Sequence, residues 1–263
     1  MGRPIDRTEP GPPSPTRSPP KLPAVKNLFG WAVTVPFLLV LGMVLVVYDI
    51  VGRIVRPFSL TGFEWVMGAL QKTLVGVYRL FGTRLEVERS PEIQARTGYV
   101  VISNHQSLYD IVLLGGLLFT NLPKYVAKEE LGRWIPSVSL NLKQGGHALI
   151  DREDAAQALG EIAGLGRRVQ ARNRSAVIFP EGTRSKDGSL GAFKRAGALA
   201  LLEAADRLAV VPVAIQGSWQ LNKLWPFRPG ARVRIRIGDP VARTPDDAAA
   251  RLDDAHDWIE ARL

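Results

Sequence analysis

Hydrophobic residues fall into three regions of different pattern along the chain. In the first, residues 27–48 carry no charge, and the stretch Trp31–Val47 is almost wholly apolar. As a helix, residues 27–48 would span roughly 33 Å, which is about the hydrocarbon thickness of a bilayer. This pattern predicts a membrane-inserted helix, with a signal peptide and a buried core helix as alternatives. Pro36 and Gly42 could kink it, so insertion into one leaflet competes with a full span.

The second region, residues 63–82, has a helical repeat. Its polar residues Glu64, Lys72 and Arg79 fall on one face. The apolar residues recur at steps of three and four: Phe63, Val66, Leu70, Leu74, Val77, Tyr78 and Phe81. This pattern predicts an amphipathic helix. Three placements fit it equally: in the membrane interface, against the first helix, or as a cap on a globular domain.

The third region, beyond Gly82, alternates short apolar runs with helical stretches. Strands are predicted over 98–103, 124–127, 146–150, 175–179, 209–215 and 231–237, and helices over 108–119, 154–171, 194–207 and 245–262. Together they indicate an α/β fold with a layered, mostly parallel or mixed sheet flanked by helices. The strand 231–237 alternates arginine with apolar residues, which predicts an edge strand.

These regions predict three segments. Residues 1–25 contain eight of the nineteen prolines and are predicted to be a disordered tail, because they cannot bury enough apolar surface to offset their ordering entropy. Residues 26–84 form an N-terminal membrane-associated two-helix segment. Residues 85–263 form the α/β domain.

Composition narrows the chemistry of the chain. There are no cysteines, which excludes disulfides, thiol catalysis and zinc–thiolate sites. With only three histidines, His105, His147 and His256, no metal site is expected. The formal net charge of +9 indicates a negatively charged partner: nucleic acid, anionic lipid headgroups or a phosphorylated substrate.

The segment Asn104–Asp110 contains a candidate catalytic base. His105 follows a predicted buried strand and precedes a helix, where α/β folds place reactive groups. Asp110 could orient the imidazole if the turn folds back on it. His-x4-Asp alone is a weak signal, because such pairs also occur as structural hydrogen bonds. Ser107 is too close to His105 to be its nucleophile, and no Gly-x-Ser-x-Gly elbow occurs, which favours activation of a substrate hydroxyl.

The second candidate segment is Phe179–Ser185, directly after a predicted strand. Gly182 allows a ligand to approach the backbone, and Thr183 and Ser185 supply hydroxyls. The planar guanidinium of Arg184 suits a phosphate. The alternative is an ordinary glycine turn with a solvated arginine.

Together the two segments resemble the motifs of the 1-acylglycerol-3-phosphate acyltransferase family. His105 and Asp110 match its His-x4-Asp motif, and Glu181–Arg184 match its Glu-Gly-Thr-Arg motif. The segments Gly146–Arg152 and Val211–Ile215 are similar to two further blocks of the family, in the same order. Four further residues also fit the family: Lys128, Leu131, Phe193 and Lys194.

The resemblance implies an acyltransferase catalytic domain over residues 85–263. It implies transfer of an acyl group from acyl-CoA or acyl carrier protein to a lysophospholipid hydroxyl, with 1-acylglycerol-3-phosphate as the expected acceptor and no cofactor. His105 would be the base and Asp110 its orienter. The expected substrate-binding residues are Arg184, Lys128, Arg152, Glu181, Gly182, Thr183 and Asn104. His147 is expected to be structural or solvent-facing, and His256 to lie on the surface.

Membrane lipids are expected partners and nucleic acid is not, because no recognition motif or stacking platform accompanies the positive charge. We expect the protein at the cell inner membrane with its active site facing the cytoplasm, where the donor is made. The alternatives are a hydrolase or transacylase of the same fold, an acyltransferase of this fold that acts on a different lysolipid, and a non-catalytic membrane lipid-binding protein.

Overall fold

Seven short strands form one mixed sheet in the computed structural model, which describes residues 24–133, 135–151 and 153–263. The strands are β1 (Arg84–Arg89), β2 (Val100–Ser103), β3 (Lys124–Lys128), β4 (Ala148–Ile150), β5 (Ala176–Ile178), β6 (Val210–Gln216) and β7 (Arg232–Ile237). Their order is β1-β7-β6-β2-β5-β3-β4, and β7 is antiparallel to β6 while the other neighbours pair in parallel. The predicted α/β sheet is confirmed.

Helices cover both faces of this sheet. They are α1 (Ala24–Val55), α2 (Leu60–Leu80), α3 (Tyr109–Leu117), α4 (Val138–Gln144), α5 (Ala155–Arg172), α6 (Arg195–Ala204) and α7 (Ala248–Glu260). Helices α1, α2 and α3 share one hydrophobic cluster with the sheet, and α5, α6 and α7 share another on the opposite face. Strand β2 shows why: Val101 enters the first cluster, whereas Val100 and Ile102 enter the second, as alternation along a strand requires.

Helix α1 is long and apolar enough to cross a membrane. Its segment Ala32–Val55 has 24 residues, and the most apolar 18-residue stretch within it has a mean hydropathy of 2.4 and is 11 % buried. Because a core helix would be mostly buried, this exposure favours a lipid-facing helix over the buried-helix alternative. Phe37 and Thr34 are exceptions because both are fully buried, and the Phe37 ring stacks on Phe227 with centroids 4.1 Å apart.

Helix α2 begins where Ser59 caps it, by accepting a hydrogen bond from the Gly62 amide at 2.9 Å. Its apolar face packs against both α1 and α3. Helix α2 therefore combines two of the predicted placements, because it packs on the first helix and also caps the globular domain. The predicted domain boundary at residue 85 falls just inside β1, and the Pro-rich segment 1–25 lies almost entirely outside the described residues.

The expectation that residues 231–237 form an edge strand was wrong. Strand β1 pairs along the outer side of β7, from Arg84 opposite Arg232 to Arg89 opposite Ile237. The β7 arginines face glutamates of β1: Arg234 contacts Glu86 at 2.8 Å, and Arg236 contacts Glu88 at 2.9 Å. Strand β1 was not predicted because its sequence, Arg-Leu-Glu-Val-Glu-Arg, has a weak apolar pattern. In the structure Leu85 is half-buried and the other residues of β1 are exposed.

Glu64 was placed on the polar face of α2, but the structure buries it. Its side chain is 1 % exposed and contacts Lys124 of β3 at 3.0 Å. Two further cations, Arg172 and Arg174, approach the same carboxylate at 3.4 and 3.1 Å. Burial lowers the pKa of Lys124, and the Glu64 charge opposes that shift. This ion cluster ties α2 to β3 and to the α5–β5 connection.

His147 is buried beside this cluster. Its Nδ1 accepts a hydrogen bond from the Tyr125 amide at 3.0 Å, so the ring proton is on Nε2, which lies 3.2 Å from Asn141 Oδ1. Burial, with the charges of Lys124 and Arg168, holds the pKa of His147 well below its usual value. Of the two roles expected for His147, the structural one is confirmed and the solvent-facing one was wrong.

We predict that Glu64→Gln lowers the free energy of unfolding by about 3–5 kcal/mol, because it leaves the Lys124 ammonium buried without a counter-charge. Denaturant unfolding in detergent micelles measures the loss. Adding Lys124→Met should recover much of it, whereas Glu88→Gln, which removes the exposed pair with Arg236, should cost about 1 kcal/mol or less. An unchanged midpoint for Glu64→Gln would contradict the prediction.

We predict that His147 makes the protein less stable as pH falls below about 6.5. The unfolded chain binds a proton at His147 in this range while the folded chain does not, so the free energy of unfolding decreases by up to about 1.4 kcal/mol per pH unit. His147→Asn, whose amide oxygen can replace Nδ1 as the acceptor, should remove this part of the pH dependence. His256→Asn should retain it, and equal slopes for wild type and His147→Asn would refute the prediction.

Candidate active site

The predicted motifs meet at the carboxyl edge of the sheet, meaning the edge where β2, β3, β4, β5 and β6 end. These strands are connected by parallel pairs, so the residues that follow them emerge on the same side. His105 follows β2 and Glu181 follows β5, and these two strands are direct neighbours in the sheet. Parallel sheets place ligand sites at this edge.

Asp110 organises the turn that carries His105. It lies in the first turn of α3, is fully buried, and its Oδ2 accepts the backbone N–H groups of Gln106 at 2.6 Å and Ser107 at 2.7 Å. The same oxygen lies 2.9 Å from His105 Nδ1. Since a carboxylate only accepts, Nδ1 carries the proton and Nε2 has the free lone pair. The orienter role expected of Asp110 therefore has the required geometry.

The His105 ring is held from a second side by Phe179. The two rings stack with centroids 4.1 Å apart and planes 17° from parallel. The His105 side chain is 13 % exposed, so the ring is shielded but reachable. Ser107 differs: it is buried, and its hydroxyl accepts the Tyr109 amide at 3.2 Å, so it is not presented to a substrate as a nucleophile.

Glu181 acts as a clamp between the two motif segments. Its Oε1 accepts the His105 backbone N–H at 2.6 Å, and its Oε2 accepts the Gly191 N–H at 2.8 Å. The Ser185 amide returns a bond to the His105 carbonyl at 2.8 Å. Burial raises the pKa of Glu181, and the two backbone N–H groups oppose that rise. The Glu181 carboxylate thus fixes the position of His105 relative to Gly191, through hydrogen bonds to the backbone N–H groups of both residues.

Gly182, Thr183 and Arg184 present the surface beside this clamp. Gly182 has φ +66°, a left-handed conformation that favours glycine, and the Lys194 side chain packs over it. Thr183 and Arg184 are exposed. Within the described parts of the chain, the Arg184 guanidinium has no acidic partner, so its charge is available to an anion. Lys194, which also fits the family resemblance, brings a second cation to this surface.

Asn104 is committed to the protein backbone. Its Nδ2 donates to the Ile215 carbonyl at 2.8 Å, and its Oδ1 accepts the Ile215 amide at 2.8 Å. The side chain is buried, so both polar atoms are occupied and out of reach of a substrate. Asn104 therefore joins the end of β2 to β6, a different role from the expected substrate contact.

The remaining predicted binding residues lie farther along the carboxyl edge. Lys128 is the last residue of β3, two strands from β2, and its ammonium lies 3.2 Å from Glu130 on the surface. The structure does not bring Lys128 into contact with His105 or Arg184. Arg152 lies outside the described residues.

Asn222 and Gln106 complete the site and were not predicted. Asn222 Nδ2 donates to the Gln106 carbonyl at 2.7 Å and lies 3.4 Å from the Ser185 carbonyl. Gln106 Nε2 donates to the Gly188 carbonyl at 2.9 Å. These bonds join two segments: residues 104–110, here called the histidine turn, and residues 179–191, here called the arginine loop. Asn222 is 116 residues from Gln106 and has no distinctive neighbours in sequence, so no sequence signal marks it.

Comparison with known proteins gives consistent results. The family model described as Acyltransferase matches residues 84–216. The 1-acyl-sn-glycerol-3-phosphate acyltransferase alpha of Mus musculus is 31 % identical over 193 residues, covering 71 % of this chain and 66 % of its own. The 1-acyl-sn-glycerol-3-phosphate acyltransferase of Haemophilus influenzae is 28 % identical over 201 residues, covering 75 % and 81 %. The chain thus spans slightly less than two thirds of the mouse relative's length.

A solved structure has the same fold. The crystal structure of the 1-acyl-sn-glycerophosphate (LPA) acyltransferase from Thermotoga maritima superposes with a TM-score of 0.73, covering 90 % of this chain and 95 % of its own, at 23 % identity. The matched range 84–216 includes β1, the histidine turn and the arginine loop. As the motif resemblance led us to expect, the chain belongs to the acyltransferase family.

Proposed function

We propose that the protein transfers a fatty acyl group from acyl-CoA or acyl carrier protein to the free hydroxyl of a lysophospholipid. The acceptor we propose is 1-acylglycerol-3-phosphate, which would give phosphatidic acid. The observation that carries the proposal is the bond between His105 Nδ1 and Asp110, which leaves Nε2 unprotonated in a turn hydrogen-bonded to Ser185, the neighbour of the exposed Arg184. The mouse and Haemophilus influenzae relatives, both 1-acyl-sn-glycerol-3-phosphate acyltransferases, support the same acceptor.

In the proposed reaction, His105 Nε2 removes the proton of the acceptor hydroxyl as the oxygen attacks the thioester carbonyl carbon. The resulting tetrahedral intermediate collapses with cleavage of the C–S bond. The imidazolium then returns its proton to the thiolate. Asp110 stabilises the imidazolium and holds the ring without taking its proton.

One base suffices for this reaction. A thiol with a pKa near ~8.5 is a good leaving group and departs without strong acid assistance. The burial of Ser107 supports direct attack by the acceptor oxygen. Positioning of the hydroxyl against the thioester then supplies much of the remaining acceleration.

The acceptor phosphate would bind beside Gly182. The Arg184 guanidinium can donate two parallel hydrogen bonds to a phosphate, and Lys194 adds a point charge. Gly182 has no side chain, and the space that a Cβ would take is next to the Lys194 ammonium, which keeps that charge close to the backbone here. We retain Lys128 and Arg152 as proposed outer contacts of the same phosphate.

We propose that α1 anchors the enzyme to the membrane in which its lipid acceptor resides. The exposed apolar side chains of α1 support this location: Val35, Leu39, Met43, Val46, Val47, Ile50, Val51 and Ile54. A donor made in the cytoplasm would place the active site on the cytoplasmic side of the inner membrane. No cofactor enters the proposed reaction.

We predict that His105→Ala lowers kcat for acylation of lysophosphatidic acid by about 10²–10⁴, because the general base is lost. The measurement is an acyl-transfer assay on the detergent-solubilised protein. His256→Ala is the matched control and should retain wild-type activity, since His256 lies on α7 and its ring contacts Phe193, not the turn that carries His105. Wild-type turnover in His105→Ala would rule out the proposed base. Acylation of other lysolipids but not lysophosphatidic acid would overturn the acceptor assignment.

We predict that Arg184→Ala raises the KM for lysophosphatidic acid by about 10-fold or more and largely spares kcat, because a charge-assisted phosphate contact is lost before the chemical step. Arg184→Lys should recover only part of the loss, since lysine lacks the bidentate geometry. Steady-state kinetics with varied acceptor measures both constants. Equal losses in kcat and kcat/KM would assign Arg184 to the transition state instead.

A further inference from the structure

A groove of about 660 Å³ lies between α1 and the turn that joins α2 to β1. Its apolar wall includes Val33 and Pro36 of α1 and Leu80 of α2. Its polar lining includes Arg79, Arg84 and Thr83. We call it the arginine groove. Its volume is within the ~300–1,000 Å³ typical of small-molecule sites.

The two arginines give the groove an unbalanced positive charge. Arg79 and Arg84 are both exposed, and neither has an acidic partner among residues 24–133, 135–151 and 153–263. Of the acids on β1, Glu86 and Glu88 are already paired with Arg234 and Arg236. Charge complementarity therefore favours an anionic ligand with more than one acceptor oxygen.

Thr83 adds an unmet hydrogen bond to the groove. The residue is 4 % exposed, and its Oγ1 is buried with no hydrogen-bond partner in the described structure. A buried hydroxyl without a partner costs about 1–3 kcal/mol. Thr83 lines the groove, so a rotation of its side chain would let a ligand oxygen accept the hydroxyl proton and recover this loss.

The floor of the groove is held by backbone hydrogen bonds. The Thr83 amide donates to the Tyr78 carbonyl at 3.0 Å, and the Gly230 amide donates to the Gly82 carbonyl at 3.0 Å. The Arg84 amide donates to the Ala231 carbonyl at 2.8 Å. The groove is therefore largely preformed, and a ligand would not have to order it.

The groove and the active site open at the same edge of the sheet but are separate. Strand β7 runs antiparallel to β6, so its first residue, Arg232, lies near the end of β6, and Arg84 is opposite Arg232. Strand β1 is three strands from β2, which corresponds to roughly 14 Å at the usual strand spacing. A headgroup at Arg84 would thus lie on the same side of the sheet as His105, farther out than the ends of the strands, without entering its site.

We propose that the arginine groove binds one diacyl phospholipid of the bilayer that has an anionic headgroup. Arg79 and Arg84 hold the phosphate, Thr83 donates to a glycerol or ester oxygen, and the acyl chains run along the exposed apolar face of α1. Apolar and charged linings meet along this groove, which suits an amphiphile better than a free anion. The bound lipid holds the carboxyl edge, and with it His105, at headgroup depth.

The test measures retention of lipid by the full chain in micelles, using native mass spectrometry. The probes are dioctanoyl phosphatidylglycerol, dioctanoyl phosphatidylcholine and inorganic phosphate. The wild type should bind phosphatidylglycerol in preference to the other two. The double variant Arg79→Gln/Arg84→Gln should bind it about tenfold more weakly or worse, because two charge-assisted contacts are lost.

A matched double variant controls for net charge. Arg167→Gln/Arg207→Gln removes the same two charges; both residues are exposed, and Arg167 lies on α5, on the opposite face of the sheet. It should bind phosphatidylglycerol within about twofold of wild type. Equal weakening in the two double variants would reduce the effect to general electrostatics and overturn the proposal.

Two further variants separate this inference from the proposed function. His105→Ala and Arg184→Ala should retain phosphatidylglycerol whatever their effect on acyl transfer. Loss of phosphatidylglycerol in Arg184→Ala, with retention in Arg79→Gln/Arg84→Gln, would move the lipid to the acceptor site and overturn the inference. Inorganic phosphate bound as tightly as the lipid would make the groove a plain anion site, which also overturns it.

Thr83→Val should raise the melting temperature of the lipid-free protein and lower the stabilisation by added lipid. It removes the buried unpartnered hydroxyl, so the lipid-free protein should melt at a higher temperature. The stabilisation by added phosphatidylglycerol should shrink, because the ligand loses a donor. A variant that gains stability but keeps the full lipid effect would remove Thr83 from the site.

Discussion

The site depends on one buried carboxylate oxygen. Asp110 Oδ2 accepts two backbone N–H groups and faces His105 Nδ1, so a single atom determines both the shape of the turn and the tautomer of the imidazole. Its place in the first turn of α3 is favourable for a negative charge, because helix N-termini carry partial positive charge. Backbone and side chain are thus held together, and the histidine ring has little freedom before a substrate arrives.

The arginine loop is fastened to this turn rather than to the sheet alone. Glu181 bonds the His105 amide, and Asn222 bonds the Gln106 carbonyl and approaches the Ser185 carbonyl. Each contact is made by a side chain with a backbone group, so the distance between His105 and Arg184 is set by the protein. This would matter for the proposed acyl transfer, because a reaction without a covalent enzyme intermediate depends on holding two substrates in register.

The N-terminal helices connect the proposed membrane anchor to the active-site turn. Helix α2 packs on α3 and is tied to β3 through the buried Glu64 cluster, while α1 packs on α2 and exposes its other side. This packing fixes the position of α1 relative to α3, the helix that begins beside His105. In the proposed enzyme, the depth of α1 in the bilayer and the lipid in the arginine groove would together set the height of the active site.

Local features of the sequence determined the periodic helices, the apolar central strands and the His105–Asp110 pair, because those interactions span a few residues and have a recognisable spacing. The Glu-Gly-Thr-Arg segment was recognised for the same reason. Only the tertiary structure decided that Glu181 clamps His105, that Asn104 serves Ile215 and that Asn222 joins the two loops, because these partners lie 76 to 116 residues apart. It also decided the pairing of β1 with β7 and the burial of Glu64: a charged residue shows its polarity in sequence, but whether it meets water or a counter-charge depends on the elements folded against it.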